Sequence, residues 1–486
     1  MNDKIAFGAT YAPMGAEVAV HDCPADGAVP RDLDGGFFSV GADLQYPLSP
    51  GNIAFDGEGH VRVFRFQQGR VDYRSRFVRT QRYVAQDAAR RLLMPMYRNP
   101  LCDDPSVAGL SRSTANTHVI HHRGRLLALK EDSLPVALDL ESLETIDPVY
   151  DFGGQLPHGT PFTAHPKICS HTGNIVAFGG EAGGPGSDAI ALFEIDRQGR
   201  KVWEAQIRAP YAGMIHDFAV TEHYIAFFVV PLLFDGERMQ RGLVPYSWDG
   251  SRKSYLGVLR RHGDGKDIRW IATPTCGGSH TLGSFDDGGR LYFDREISPS
   301  NPYVVIPNRD GSAYDAAGGT SYLYRISLDL KNSAAVVEFE QLYPLIAPLP
   351  RQDDRYQTVP YRYGYMGCPA PDDPVRWKPV CYARIDHQTR HYVLWKAPAD
   401  VSLGEPLFVP KHSAAREGEG YLLGVGWHHS DGLRSDLYIF DAEHVGEGPL
   451  ATVHLPVQAA PQIHSWWVGG QEYPQRSAVA QVDAKA

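Results

Sequence analysis

Apolar and polar residues alternate in short runs along the chain: VRVFRF (61–66), LYFDREI (291–297), TSYLYRISLD (320–329), RHYVLWKA (390–397), DLYIFD (436–441) and ATVHLPV (451–457). A period of two marks a half-buried strand. GYLLGVGW (420–427) is a further short β-prone run. The longest strongly apolar stretch, YIAFFVVPLLF (224–234), contains Pro231. It is too short to span a bilayer and reads as buried strand. Between the runs lie FDGEGHV, HHRGRL, SHTGNI, DRQGRK, FDDGGRL and DAEHVGEG. Their Asp, Asn and Gly residues suit the positive φ of tight hairpins. Only the region 81–96, containing QDAARRLLM, looks helical for more than two turns.

Strands and hairpins repeated along 486 residues do not stack indefinitely as one open sheet. Closing the sheets radially removes most free edges, which predicts a β-propeller. At roughly 40–60 residues per blade, the chain holds about seven. No Pro/Ser-rich linker divides it, so one domain over 1–486 is expected, with a frayed tail at about 476–486. A tandem of β-sandwiches is the alternative architecture.

The charge balance is 47 basic against 57 acidic residues, net −10. Such a surface repels nucleic acid and anionic membranes on average. The N-terminus MNDKIAFGATYAP lacks a basic segment followed by an apolar run, and none of the six cysteines forms a CxxC pair. Reduced thiols in a cytoplasm are therefore expected, and a zinc ribbon is not.

Of the 20 histidines, His21, His60, His118, His121, His122, His171, His387 and His444 sit in polar, turn-like words. Four others lie beside apolar strand material: His165 in GTPFTAHPKIC, His216 in YAGMIHDFAV, His280 in CGGSHTLGSFDD and His464 in APQIHSWWV. They are far apart in sequence and would come from different blades. A propeller brings inner strands together at its axis, where distant side chains can converge.

TAHPK, MIHDFAVTEHYIAF, PYRYGY (360–365), GEPLFVP (404–410) and IHSWWV occur in an order that resembles the carotenoid cleavage oxygenase family. VDYRSRFVRT, MYRNPLCDDPSV, STANTHVIHHRGRLLALKE and YRYGYMG resemble most closely its lignostilbene dioxygenase branch, the stilbene-cleaving oxygenases. The resemblance implies an all-β, seven-bladed propeller with a loop and helix cap over an axial non-haem iron(II), Fe(2+). Its ligands would be His165, His216, His280 and His464. Imidazole suits iron, and four neutral ligands leave coordination positions open for dioxygen. Glutamates are implied as acceptors for the outer ring N–H groups, matched here by Glu131 and Glu405. A third would fall on Pro348, whose side chain accepts nothing. Support for His280 is then expected from Glu338, Glu340, Asp353 or water, or the metal is held less tightly.

The resemblance also assigns the substrate end. Tyr97 and Lys130 would contact a stilbene 4-hydroxyl as the catalytic pair, and Phe55 would pack on a ring. Lys130 and Glu131 are adjacent, and adjacent strand positions face opposite ways; both reach one site only at a strand end or on irregular backbone. The implied reaction is cleavage of the central C=C bond of a 4-hydroxystilbene with O2, giving two aromatic aldehydes. The alternatives are cleavage of a carotenoid or apocarotenoid, and a silent propeller that binds an aromatic ligand. The expected partners are a small aromatic molecule and O2, with no nucleic acid and no stable membrane insertion. A homodimer is compatible with the sequence, which does not decide it.

Overall fold

The computed structural model describes residues 5–6, 9–10, 13–372, 378–430 and 434–473. The tail expected to fray lies outside the described residues.

Among the described residues, seven sheets of four or more strands follow one another along the chain, antiparallel but for one parallel bridge between Ala9 and Ala42, and a two-stranded sheet of Leu232–Phe234 with Tyr246–Trp248 accompanies them. The first blade is built on Gly35–Asp43, Glu58–Gln67 and Arg70–Phe77. The second runs from His118–His122 and Arg125–Leu129 to Thr145–Asp147, and the third from Lys167–Ile168 to Lys201–Arg208. The fourth opens at Ala219–Val220 and Tyr224–Val229, and the fifth pairs Thr281–Asp287 with Arg290–Ile297 before Tyr322–Asp329 and Glu338–Ile346. The sixth runs from Leu349–Gln352 to His391–Lys396, and the seventh from Val401–Leu403 to Ala451–Leu455. The chain is a seven-bladed β-propeller.

Two pairings close the ring. The C-terminal strand His464–Gly469 joins the first blade, with His464 opposite Val40. The early strand Ala25–Gly27 joins the seventh, against Ala451–Leu455. The core is divided to match. Val40, Val61 and Val63 of the first blade pack with Val119, Leu126 and Ala128 of the second. Phe178 of the third packs with Phe227 of the fourth. The circle ends where Phe37 and Phe64 meet Leu423 and Leu437 of the seventh. Each blade thus buries both faces against its neighbours, which keeps the blades in register around the axis.

The turn chemistry is as read for HHRGRL and FDDGGRL. Arg123 and Gly124 have φ of 52° and 70°, and Gly288 and Gly289 have 59° and 89°. Two consecutive positive φ values match the right-handed twist of the strands they join. FDGEGHV differs: a 3₁₀ turn covers Ala54–Asp56 and the strand begins at Glu58. The helix within 81–96 is shorter than its pattern suggested. It spans Gln81–Ala89, capped by Thr80 Oγ1 accepting from Tyr83 N at 2.9 Å. It stops at Arg90, which is left-handed at φ 55°. The following Leu93 and Met94 leave the helix and pack against Val107.

YIAFFVVPLLF forms two strands, Tyr224–Val229 and Leu232–Phe234, flanking Pro231. Among the described residues no helix is long and apolar enough to cross a membrane. No disulfide joins any of the six cysteines, all of which lie among the described residues. The non-β segments of the cap are tied together by Asn99, whose amide donates to Met239 O at 2.9 Å and Leu243 O at 2.8 Å.

Candidate active site

Three of the four singled-out histidines stand just before the first strand of a sheet, and the fourth opens the strand that closes the ring. His165 precedes Lys167–Ile168, His216 precedes Ala219–Val220, His280 precedes Thr281–Asp287, and His464 opens the closing strand. The propeller brings these strand starts to one point. One nitrogen from each imidazole falls in a group whose members all lie within 4.8 Å of one another. His216 Nε2 is 3.1 Å from His165 Nε2 and 3.1 Å from His280 Nε2.

Three of the rings are oriented from behind. His216 Nδ1 lies 2.8 Å from Glu131 Oε1, and His464 Nδ1 lies 2.8 Å from Glu405 Oε1. His280 Nδ1 lies 2.6 Å from Glu296 Oε1 and 3.0 Å from the Pro348 carbonyl oxygen. A carboxylate at Nδ1 holds the proton there and leaves the Nε2 lone pair free. His464 Nε2 is buried and has no hydrogen-bond partner among the described residues. Nitrogens bound to one ion at about 2.1 Å stand roughly 3 Å apart when adjacent. Converging lone pairs with an orphaned Nε2 therefore fit a cation held by these four residues, and imidazole donors suit a transition metal. Burial, then the neighbouring imidazoles, hold His165 well below the usual histidine range. Burial, then His280 and Arg351, do the same to His464. Both are therefore neutral and available as ligands.

The expectation for His280 is corrected in part. Glu338 pairs with Arg290, Glu340 with Arg390 and Asp353 with Arg355. The carboxylate at His280 is Glu296, from the adjacent strand of the same blade. A signal was present in LYFDREI, where Asp294, Arg295 and Glu296 stand consecutively in an apolar strand. All three are buried, and a buried charge needs a partner. The polar-turn reading also fails for His60, His118 and His122, which are buried in strands; His387 does stand in a turn, between Cys381–Asp386 and His391–Lys396, but is buried there. His118 stands next to the cluster, its Nδ1 2.9 Å from Ala164 O and its Nε2 3.3 Å from Ser465 O.

At the substrate end, Lys130 and Tyr97 are both buried, and Lys130 Nζ lies 5.0 Å from the centre of the Tyr97 ring. The strand Arg125–Leu129 ends just before Lys130, so the strand alternation does not apply and both Lys130 and Glu131 turn inward. Lys130 Nζ is 3.6 Å from Glu131 Oε2, and the other oxygen of that carboxylate faces His216. Burial alone would raise the Glu131 carboxyl; the Lys130 ammonium and His216 override it and hold it well below the usual range. Burial likewise disfavours the Lys130 cation, but Tyr97 and Glu131 outweigh it and the pKa is raised. Burial raises the Tyr97 phenol against the pull of Lys130. The pair is thus a buried cation beside a neutral phenol.

Phe55, half-buried, packs against the cluster that contains Tyr97, Ile53 and Phe228. Asn52, which sequence reasoning missed, joins the two segments. Its Oδ1 accepts from Tyr97 N at 2.9 Å, and its Nδ2 donates to Asp56 Oδ2 at 2.8 Å and Pro95 O at 3.0 Å. Nothing in the word GNIAF marks that asparagine, because Tyr97 and Pro95, the partners that give it its joining role, lie in another loop.

The family model described as RPE65, retinal pigment epithelial membrane protein, matches residues 11–469. The chain belongs to the RPE65/carotenoid oxygenase family. It is 37% identical to isoeugenol monooxygenase of Pseudomonas putida, over 96% of this chain and 98% of that protein. It is 34% identical to lignostilbene-alpha,beta-dioxygenase isozyme III of Sphingomonas paucimobilis, over 97% and 98%. The crystal structure of Pseudomonas brassicacearum lignostilbene dioxygenase superposes with a TM-score of 0.91 at 34% identity, covering 97% of this chain and 99% of that one. The carotenoid oxygenase membership and the propeller expected from the sequence words therefore stand.

Proposed function

We propose that this protein is an iron(II)-dependent dioxygenase that cleaves the central C=C bond of 4-hydroxystilbenes, of lignostilbene or resveratrol type, into two aromatic aldehydes. His165, His216, His280 and His464 would hold the iron, with Glu131 and Glu405 orienting two of them. When bound, the iron supplies dioxygen activation beside the alkene. In the overall reaction the C=C and O=O bonds break and two C=O bonds form, one oxygen atom going to each aldehyde.

The observation that carries the substrate class is the buried Lys130 ammonium over Tyr97, joined to His216 through Glu131. The nearest carboxylate oxygen, Glu131 Oε2, stands 3.6 Å from Lys130 Nζ, beyond hydrogen-bond distance, so the ammonium keeps donors for an anionic or ionisable oxygen. Lys130 and Tyr97 would receive the phenolic oxygen and draw it toward phenolate by charge and hydrogen bonding. A para-phenolate pushes electron density through the ring to the conjugated alkene, which would face the four histidines that would hold the iron. Phe55 and the apolar wall around it orient the ring and exclude water.

A second substrate is favoured by the relative named for isoeugenol. Isoeugenol has the same para-hydroxyphenyl alkene, with a methyl group in place of the second ring. The phenol end of the site serves both compounds equally. Oxygen uptake and aldehyde formation with resveratrol, isoeugenol, their 4-O-methyl ethers and an apocarotenal test the reading. Cleavage of a free phenol and not its ether is the expected result. Equal turnover of ether and phenol would sink the phenolate mechanism, and turnover of the apocarotenal alone would move the substrate to the carotenoids.

A further inference from the structure

We infer that Glu296, together with the Gly277-Gly278-Ser279 backbone, is the positioning device for His280, in place of a carboxylate from another blade. This rests on the metal-site reading above. The other two supported histidines are held across blade boundaries: Glu131 of the second blade reaches His216 before the fourth, and Glu405 of the seventh reaches His464 of the closing strand. His280 instead faces its neighbour within one hairpin. Glu296 N donates to His280 O at 3.1 Å, and Gly277 and Ser298 exchange bonds of 2.8 Å and 3.2 Å. This lays the segment 277–280 directly along the end of the strand Arg290–Ile297.

The two glycines permit that approach. Gly278 has φ of +137°, and a Cβ there would lie 2.1 Å from Glu296 O. At Gly277 it would lie 2.4 Å from Ser300 O. No side chain fits at either position without separating the segment from the strand. The result is a carboxylate oxygen that receives three groups of one dipeptide: His280 Nδ1 at 2.6 Å, His280 N at 2.9 Å and Ser279 Oγ at 3.0 Å. Ring and backbone of the histidine are gripped by the same atom: the backbone N–H fixes the carboxylate, and the imidazole cannot swing without losing its Nδ1 bond to it. The Pro348 carbonyl oxygen, 3.0 Å from Nδ1, is the only point where the sixth blade touches that nitrogen among the described hydrogen bonds.

The test compares metal affinity in the whole protein, by equilibrium titration of metal-free protein with iron(II), and with cobalt(II) for its visible spectrum. Glu296→Gln is expected to weaken binding about ten- to a hundredfold and to change the cobalt absorption, with far-UV circular dichroism unchanged. Glu338→Gln and Glu340→Gln, whose carboxylates pair with arginines elsewhere, are expected to match the unaltered protein. Should Glu296→Gln fail to fold, Glu296→Asp keeps the charge but draws the carboxylate back by one methylene, and is expected to weaken binding severalfold. Binding and a cobalt spectrum unaltered in the foldable Glu296 variant, with the unaltered protein binding metal, would overturn the inference alone. Absence of metal binding by the unaltered protein would overturn the metal site and this inference together.

Discussion

The floor and the wall of the site are built differently. The floor is four histidines and three carboxylates placed at the starts and ends of propeller strands, so their positions follow from the packing of the blades. The wall is Phe55, Tyr97 and Lys130, which come from a 3₁₀ turn, a loop between the first two blades and the residue just past a strand. Its parts are joined by side chains such as Asn52 and not by sheet pairing. On the proposed function, metal geometry would rest on the cooperative core, and substrate preference on loops that can change without disturbing it. The two regions touch at Glu131, between His216 and Lys130.

The largest effect that separates them is at the floor. His165→Ala or His464→Ala removes a metal ligand, and both metal content and turnover are expected to vanish while the fold persists. Full metal and turnover in either variant would break the four-histidine assignment. Next comes the wall. Lys130→Met keeps most of the side-chain bulk and removes the charge. A hydrogen bond to a charged group is worth about 1.5–3 kcal/mol, so turnover should fall roughly ten- to a hundredfold with metal content nearly kept. An equal fall in metal and turnover would mean that Lys130 acts through Glu131, and the distinction between floor and wall would fail there. Tyr97→Phe should show the same pattern at a smaller size.

Glu405→Gln sharpens the floor. It should weaken metal binding about ten- to a hundredfold, measured by titration, and leave the Michaelis constant of the loaded enzyme unchanged. The smallest effect is at the tether. Asn52→Ala removes the acceptor of Tyr97 N and the donor to Asp56. A stability loss of about 1–3 kcal/mol is expected in denaturant melts, with a higher Michaelis constant and unchanged metal affinity. Loss of metal in this variant would show that the wall supports the floor.

The periodicity of the strand runs and the Gly/Asn/Asp turns determined that the chain is all-β, because both are local properties of the residues themselves; radial closure was favoured over a tandem of sandwiches by the number of strands and by the family resemblance, and it is the pairings of His464–Gly469 and Ala25–Gly27 that close the ring. The four histidines were legible because each lies in a distinctive word next to apolar strand. Glu131 and Glu405 were legible only through the same words. What the sequence could not carry was pairing across strands. Glu296 became the acceptor for His280 through the register of one hairpin and two glycines that let it close. Lys130 and Glu131 came to share a site because the strand ends one residue before them. Asn52 joined Phe55 to Tyr97 because two loops meet over the first blade. Each of these depends on which backbone lies beside which, a relation set by the burial of seven sheets against one another and not by any residue's own neighbours in the chain.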